Sequence, residues 1–329
     1  MQAPPSEGRG VGAAVLIDHP SGFLALSPRN QQFSTQDAPG FIAYREQGRH
    51  FVVLGGVHAH GAQPGPLLDR FLDYAAGRRR NVLVVQLRAE QVPLFLERGF
   101  TVNQLGSSFS LALGGFTLRG TRKIQLRNKI SRARKAGLRV VELGVDRPRD
   151  EAMFQALHGV SRAWLGAKKR KELDFMIGEI GTAQDTARRI FVALDPCDQV
   201  QAFITYVPAW GARPGYLHDL SRRLPTAPPG ALELCNSQAI EKMKAEGVPY
   251  LHFGFTPFIV DDQEQAGANR LAAWLVRMLF RHGRAIYPAA SQMQYKLKWT
   301  PDVIEREYLA ARPLSPRAVL DLLLLTRSL

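Results

Sequence analysis

Two short clusters hold the side chains best suited to chemistry. The first is Tyr216-Leu-His-Asp-Leu-Ser-Arg-Arg223, where a strand-like run gives way to a Pro-rich loop. Working residues are often held where a rigid strand meets a loop. There Asp219 can orient an amine or a hydroxyl, and Arg222 can grip a carbonyl or phosphate oxygen through paired N–H groups. The same spacing also suits a structural Asp–Arg pair that fixes the turn. His218 alternates away from Asp219 on a strand and reads first as a packed or surface histidine. The second cluster is Gln294-Tyr-Lys-Leu-Lys-Trp-Thr-Pro301. Period-2 alternation predicts a final strand over Ser291–Lys298, with Lys296 and Lys298 on one face and Tyr295, Leu297 and Trp299 on the other. Two ammoniums on one face can clamp a phosphate or an ester carbonyl. An edge strand guarded by lysines is the competing reading.

A third feature points to the partner. Arg119–Arg139 carries nine Lys/Arg and no acid. Between Gly120 and Gly137 it reads as a helix with an apolar stripe at Leu126, Ile130 and Ala133. Like charges at i, i+4 oppose a helix, so such a face makes sense where a polyanion docks. Arg122, Lys123, Arg127, Lys129, Arg132 and Arg134 are the candidate phosphate contacts, with RNA or acidic lipid as the polyanion. A basic face that merely meets solvent is the alternative. The whole chain agrees with docking, because 43 Lys+Arg against 29 Asp+Glu give +14, a field that speeds capture of polyanions. Lys168-Lys-Arg-Lys171 and Arg78-Arg-Arg80 read as basic loops.

Several absences narrow the chemistry. No R/Q-x-x-G-x-G/A loop precedes a helix, so the usual pyrophosphate cradle of acyl-CoA enzymes is missing. No P-loop, no GxGxxG after a strand, no HExxH and no GxSxG is present. No metal and no bound cofactor is expected. Cys197 and Cys235 stand apart from each other and from any ligand-spaced His cluster, which argues against a disulfide framework or zinc site. No signal peptide is evident, and no apolar run reaches the roughly 20 residues that span a bilayer. A cytoplasmic protein is expected. The C-terminal run after Ser315-Pro316 starts a helix rich in leucine, which docks on the core or rests on the inner face of a membrane.

The elements that must position these residues follow from periodicity. Residues 1–12 read as a disordered N-terminus. A hairpin of Phe41–Arg45 and Phe51–Leu54 precedes a helix over about Gly65–Ala76 and the buried-strand run Asn81-Val-Leu-Val-Val-Gln86. A helix over about Ala89–Arg98 and a strand near Phe109–Leu113 close a first unit, residues 13–118. The basic helix and the strand at Leu138–Leu143 occupy 119–144. A second unit, 145–312, begins with a helix over Glu151–Trp164 and a shorter one over Glu172–Ile177. Strands follow at Ile190–Leu194, Val200–Val207 and Gly215–Leu220, then a helix over Ala231–Glu246, a strand at Tyr250–Phe255 and a helix over Gly267–Arg281. The apolar helix lies in 313–329. Both halves run strand, strand, helix, strand, helix, strand, the plan of GNAT-type acyltransferases. The expected fold is therefore α/β (α+β): tandem GNAT-like units, mixed sheets flanked by helices, joined by the basic helix.

Six blocks in order carry a family resemblance: Phe109–Gly137, Trp164–Gly178, Asp219-Leu-Ser-Arg222, Gly230-Ala-Leu-Glu233, Leu251–Phe258 and Tyr295–Pro301. Through them the chain resembles, almost end to end, the soluble C-terminal domain of the phosphatidylglycerol lysyltransferases, the multiple peptide resistance factor family. The resemblance does not extend to the family's membrane domain, and a stand-alone form is the expectation. The resemblance implies tandem GNAT units that move an aminoacyl group from the 3′ end of a charged tRNA to a hydroxyl, typically on phosphatidylglycerol. A soluble small-molecule acceptor is the variant reading. It further implies catalytic roles for Asp219, Arg222, Lys296 and Lys298, and a carried-over substrate-binding role for Glu233; Tyr216 and Thr256 are further substrate-binding candidates. The co-substrate is then aminoacyl-tRNA, whose ester is already activated, so neither ATP nor CoA is needed. An acyl-CoA-dependent N-acetyltransferase and a non-catalytic RNA- or membrane-binding protein stay open as rivals.

Overall fold

The computed structural model describes residues 16–61, 64–168, 174–176, 178–182, 184–260, 269, 278 and 289–327. Among them eleven strands form one sheet: β1 Gln31–Phe33, β2 Ile42–Gln47, β3 His50–Leu54, β4 Asn81–Arg88, β5 Thr101–Ala112, β6 Arg139–Glu142, β7 Arg189–Leu194, β8 Val200–Ala209, β9 Gly215–Arg223, β10 Tyr250–Pro257 and β11 Val303–Arg312. Among the described residues eight α-helices flank it: α1 Gly22–Ala25, α2 Pro64–Gly77, α3 Val92–Leu96, α4 Ile124–Lys135, α5 Glu151–Lys168, α6 Ala231–Ala245, α7 Ala289–Leu297 and α8 Pro316–Leu325. The strand order is β1-β2-β3-β4-β11-β5-β10-β9-β8-β7-β6.

Each half opens as expected. An antiparallel meander leads through a helix to a strand parallel to the last one, β3 beside β4 and β9 beside β10. Strands covered by helices on both faces read as unbroken apolar runs, as in the parallel strand β4 and the antiparallel strand β7, and alternation divides their side chains. Val82, Val84 and Leu87 face α2 and α3, while Leu83 and Val85 join Leu309, Ala318 and Leu322 on the other side. In β7, Phe191 and Ala193 face α4 and α6, whereas Ile190, Val192 and Leu194 face α5. The antiparallel β5–β10 ladder joins the halves, from Tyr250 opposite Ala112 to Pro257 opposite Gly106.

Three expectations need correction or addition. The final strand expected over Ser291–Lys298 is the helix α7. Four alternating residues fit either period, and Gln292, Met293, Gln294, Lys296 and Leu297 are good helix formers. The strand face is lost with the strand, since Leu297 is 41% exposed while Lys296 is only 6% exposed. The helix expected over Glu172–Ile177 is not formed at Asp174–Met176, where Phe175 sits at φ +69°. The real last strand, β11, escaped the sequence reading and lies between β4 and β5 in the first half of the sheet. Apart from residues 269 and 278, the helix expected at Gly267–Arg281 falls outside the described residues, as does the tail 1–12.

The two flanking helices singled out by the sequence form where expected. Leu126, Ile130 and Ala133 of α4 are buried. Ser315 caps α8 by accepting a bond from the Ala318 amide at 3.2 Å. That helix docks on the core through Ala318 and Leu322, leaving Leu320 and Leu324 exposed. Among the described residues no helix is long and apolar enough to cross a membrane.

Candidate active site

The site forms where two parallel strands part. Strand β10 pairs with β9 only over Tyr250–His252 opposite Gly215–Leu217. Beyond that point the strands diverge, and a cavity of about 310 Å³ opens between them. Its walls include Leu217–Arg223 of β9, Phe253–Phe255 of β10, Trp164 and Lys168 of α5, and Tyr295 and Lys296 of α7.

Divergence leaves β10 carbonyls without strand partners, and buried carbonyls demand donors. Lys296 supplies them: its Nζ donates to Gly254 O at 2.7 Å and to Phe255 O at 3.0 Å. Burial pulls the Lys296 ammonium down to about 7, with the Glu307 carboxylate opposing that shift. Burial likewise pushes Glu307 up to about 7. An amine poised near neutrality can give and take a proton at physiological pH.

Asp219 lies in the same cavity with its side chain buried, bonded to the Arg188 guanidinium. Burial lifts its carboxyl to about 6, against the pull of Arg188. Gly178 touches this carboxylate so closely that a β-carbon there would overlap it. Arg222 does not pair with Asp219 in the way the spacing allowed. Its guanidinium lies over the Trp164 ring, 4.3 Å from the centroid, with Lys168 Nζ 5.5 Å from the same ring. His218 also lines the cavity, and burial lowers it to about 3, so it is a neutral packed ring.

Asp219, Arg222 and Lys296 are therefore brought together, and the remaining sequence candidates sit elsewhere. Lys298 and Lys129 share Glu233, at 3.6 Å and 3.0 Å. Burial and the nearby Lys129 hold Lys298 below the usual lysine range. Tyr216 stacks under Arg189, 5.2 Å from its guanidinium carbon. Thr256 is fully buried on β10, its hydroxyl without a hydrogen-bond partner among the described residues. On the basic helix, Arg127 donates to Leu118 O and Gly120 O, both at 2.7 Å. Lys123 donates to Thr117 O at 2.8 Å and covers the Phe116 ring. Arg122, Arg132 and Arg134 are exposed. Trp164 and Arg188 were not among the candidates; Trp164 stood inside a family-like block, while nothing local in the sequence marked Arg188.

This geometry has relatives. The family described as phosphatidylglycerol lysyltransferase, C-terminal, matches residues 14–311. Over 214 residues the chain is 30% identical to the lysylphosphatidylglycerol biosynthesis bifunctional protein LysX of Mycobacterium ulcerans, covering 63% of this chain and 19% of that protein. The chain thus spans about a fifth of the length of that curated relative. Among solved structures, L-PGS from Bacillus licheniformis has a TM-score of 0.77 at 21% identity, covering 94% of this chain and 92% of that one. A DUF2156 C-terminal domain from Agrobacterium fabrum has a TM-score of 0.78 at 20% identity, covering 96% of each chain. Those two likenesses establish the tandem fold. With the family pattern running from residue 14 to residue 311, this chain belongs to the phosphatidylglycerol lysyltransferase C-terminal family.

Proposed function

We propose that the cavity transfers an aminoacyl group from aminoacyl-tRNA to a hydroxyl acceptor, the head group of phosphatidylglycerol. The observation that carries this reading is the seat of Lys296. A buried amine held by two carbonyls at the parting of β9 and β10 shares one cavity with Asp219 and Arg222. With two N–H groups committed to carbonyls, the neutral amine keeps its lone pair for an incoming hydroxyl.

The steps balance without a further reagent. Lys296 takes the proton of the acceptor hydroxyl as its oxygen attacks the ester carbonyl. The Arg222 guanidinium, oriented by Trp164, stabilises the oxyanion that develops. The intermediate collapses by breaking the bond to the ribose oxygen, which receives the proton back from Lys296. Asp219, anchored by Arg188, holds the α-ammonium of the aminoacyl group. The exposed Arg122, Arg132 and Arg134 meet the tRNA backbone, largely without reading sequence. Lys129, Glu233 and Lys298 tie that helix to the end of α7.

The LysX relative is named for lysylphosphatidylglycerol biosynthesis, which supports a lipid acceptor. The decisive experiment incubates the protein with radiolabelled aminoacyl-tRNAs and vesicles of phosphatidylglycerol, followed by chloroform partition. Label in the organic phase is the expected result. Label released only when a soluble metabolite pool is added would replace the lipid with a small-molecule acceptor. Absence of tRNA-dependent transfer under both conditions would defeat the reading.

A further inference from the structure

Gln86 combines three properties that rarely coincide. It lies in β4 at φ +54°, the left-handed region that suits glycine and costs other residues about 1 kcal/mol or more. It is 1% exposed, and neither its amide nitrogen nor its amide oxygen has a hydrogen-bond partner among the described residues. It also lines the cavity that holds Lys296 and Asp219. A buried amide left unpaired is expensive, so strain and desolvation are spent on one side chain at the site.

The surrounding structure enforces this conformation. The β4–β11 register steps from Leu87 opposite Tyr308 to Val84 opposite Ala310. Val85 and Gln86 therefore bulge opposite Leu309, and bulges commonly re-aim side chains near sites. The parallel ladder of β3 and β4 ends one residue earlier, at Leu54 opposite Val85. His19 locks the bulge: its Nε2–H donates to Gln86 O at 2.9 Å, while its Nδ1 accepts the Ser21 amide at 2.9 Å. The second half of the molecule has the matching place, just beyond the β9–β10 ladder, at Gly254 with φ +67°. There the strained position is filled by glycine. In the first half it is filled by a glutamine, which glycine's freedom would have made unnecessary for the fold alone.

We infer that Gln86, with Ser21 beside it, reads a second hydroxyl on the acceptor, next to the one that is acylated. The assignment rests on the transfer reading proposed above. It follows from the division of charge around the cavity. Among the described residues, Ser21, Leu24 and Gln86 line it from the first half and carry no charge. Lys168, Asp219, Arg222, Arg223 and Lys296 all come from the second half. A primary amide offers a donor and an acceptor together. A phosphate would leave its oxygen unsatisfied, and an ammonium would leave its nitrogen unsatisfied. A hydroxyl satisfies both, and a vicinal diol does so while its neighbour sits at Lys296. Gln86 is thus a specificity residue for polyol head groups.

The test compares phosphatidylglycerol vesicles with vesicles of phosphatidyl-1,3-propanediol, which keeps the terminal hydroxyl and lacks the secondary one. The matching soluble pair is glycerol phosphate and 3-hydroxypropyl phosphate, so a lipid and a free acceptor are distinguished. The wild-type protein should favour the diol of a pair by about tenfold to a hundredfold in kcat/KM, the usual penalty for leaving a buried polar group unpaired. In Gln86→Leu and Gln86→Gly that ratio should fall toward one. Gln86→Gly relieves the left-handed backbone, so it answers the question even where the leucine variant fails to fold. A diol preference that survives in the glycine variant would overturn the assignment, as would equal loss on both members of a pair. Wild-type protein that acylates none of the four acceptors would instead defeat the transfer reading and this assignment together.

Discussion

At the scale of single residues, the proposed transfer depends on an amine whose environment keeps it near neutrality. Lys296 is lowered to about 7 by burial, so the fraction able to accept a proton grows as pH rises toward that value. Single-turnover transfer should climb about tenfold per pH unit below 7 and level off above it. Lys296→Ala should lose about a hundredfold or more in rate. Lys296→Arg separates two roles, because a guanidinium keeps the charge and does not deprotonate. An arginine variant as slow as the alanine variant would establish proton transfer, whereas a half-active one would make Lys296 an electrostatic clamp. Asp219 gives a second test. Since a β-carbon at Gly178 would overlap its carboxylate, Gly178→Ala should displace Asp219 from Arg188. The variant should then lose about 1–3 kcal/mol of stability through overpacking, together with a rise in KM for aminoacyl-tRNA. Unchanged urea midpoint and KM would show that the contact yields freely.

At the scale of elements, the basic helix divides into two kinds of arginine. Arg127 is spent on Leu118 O and Gly120 O, and its replacement by alanine should loosen the entry to α4 more than it weakens RNA binding. Arg132 and Arg134 are exposed, so replacing both should reduce the dependence of tRNA affinity on salt by about two phosphate contacts. Filter binding across a salt series measures the slope, and an unchanged slope would remove the docking role from this helix. The helix itself was legible because Leu126, Ile130 and Ala133 recur at i, i+4 and i+7 against an otherwise charged background. Strand β4 was legible as an apolar run, Val-Leu-Val-Val. The lysine pair misled because Tyr295, Leu297 and Trp299 alternate over too few residues to separate period 2 from period 3.6. Strand β11 was hidden for another reason: Val303-Ile-Glu-Arg-Glu-Tyr mixes charge into a strand whose partners lie about 200 residues away. The structure places Asp219 and Arg222 in one cavity, yet their contacts with Arg188 and Trp164 are tertiary and have no local mark.

At the scale of the whole molecule, folding buries four histidines and two carboxyls away from their preferred charge states, His218 and Asp219 in the cavity and the others outside its walls, and this makes the protein sensitive to acid. Burial lowers His19 and His218 to about 3 and His58 and His252 to about 4. Unfolding frees each ring to take a proton near 6.5. Between pH 6.5 and about 4 the unfolded chain therefore binds more protons at these four sites, and stability falls as pH drops. Two groups act in the opposite sense. Burial raises Glu307 to about 7 and Asp219 to about 6, so the folded state holds protons there that the unfolded chain releases down to about pH 4. Those two carboxyls gain stability as pH falls, offsetting about half of the histidine effect. The balance near pH 5.5 is an uptake of about two protons on unfolding, a loss of about 3 kcal/mol per pH unit. Lys296 contributes nothing to this slope, being protonated in both states below about 6. Urea midpoints measured at pH 7.0, 6.0 and 5.5 should show the decline. In Glu307→Gln and Asp219→Asn the offsetting carboxyls are gone, so the slope should steepen by about 1 kcal/mol per pH unit for each. A midpoint constant from pH 7.0 to 5.5 would mean that these histidines are not held neutral in the fold.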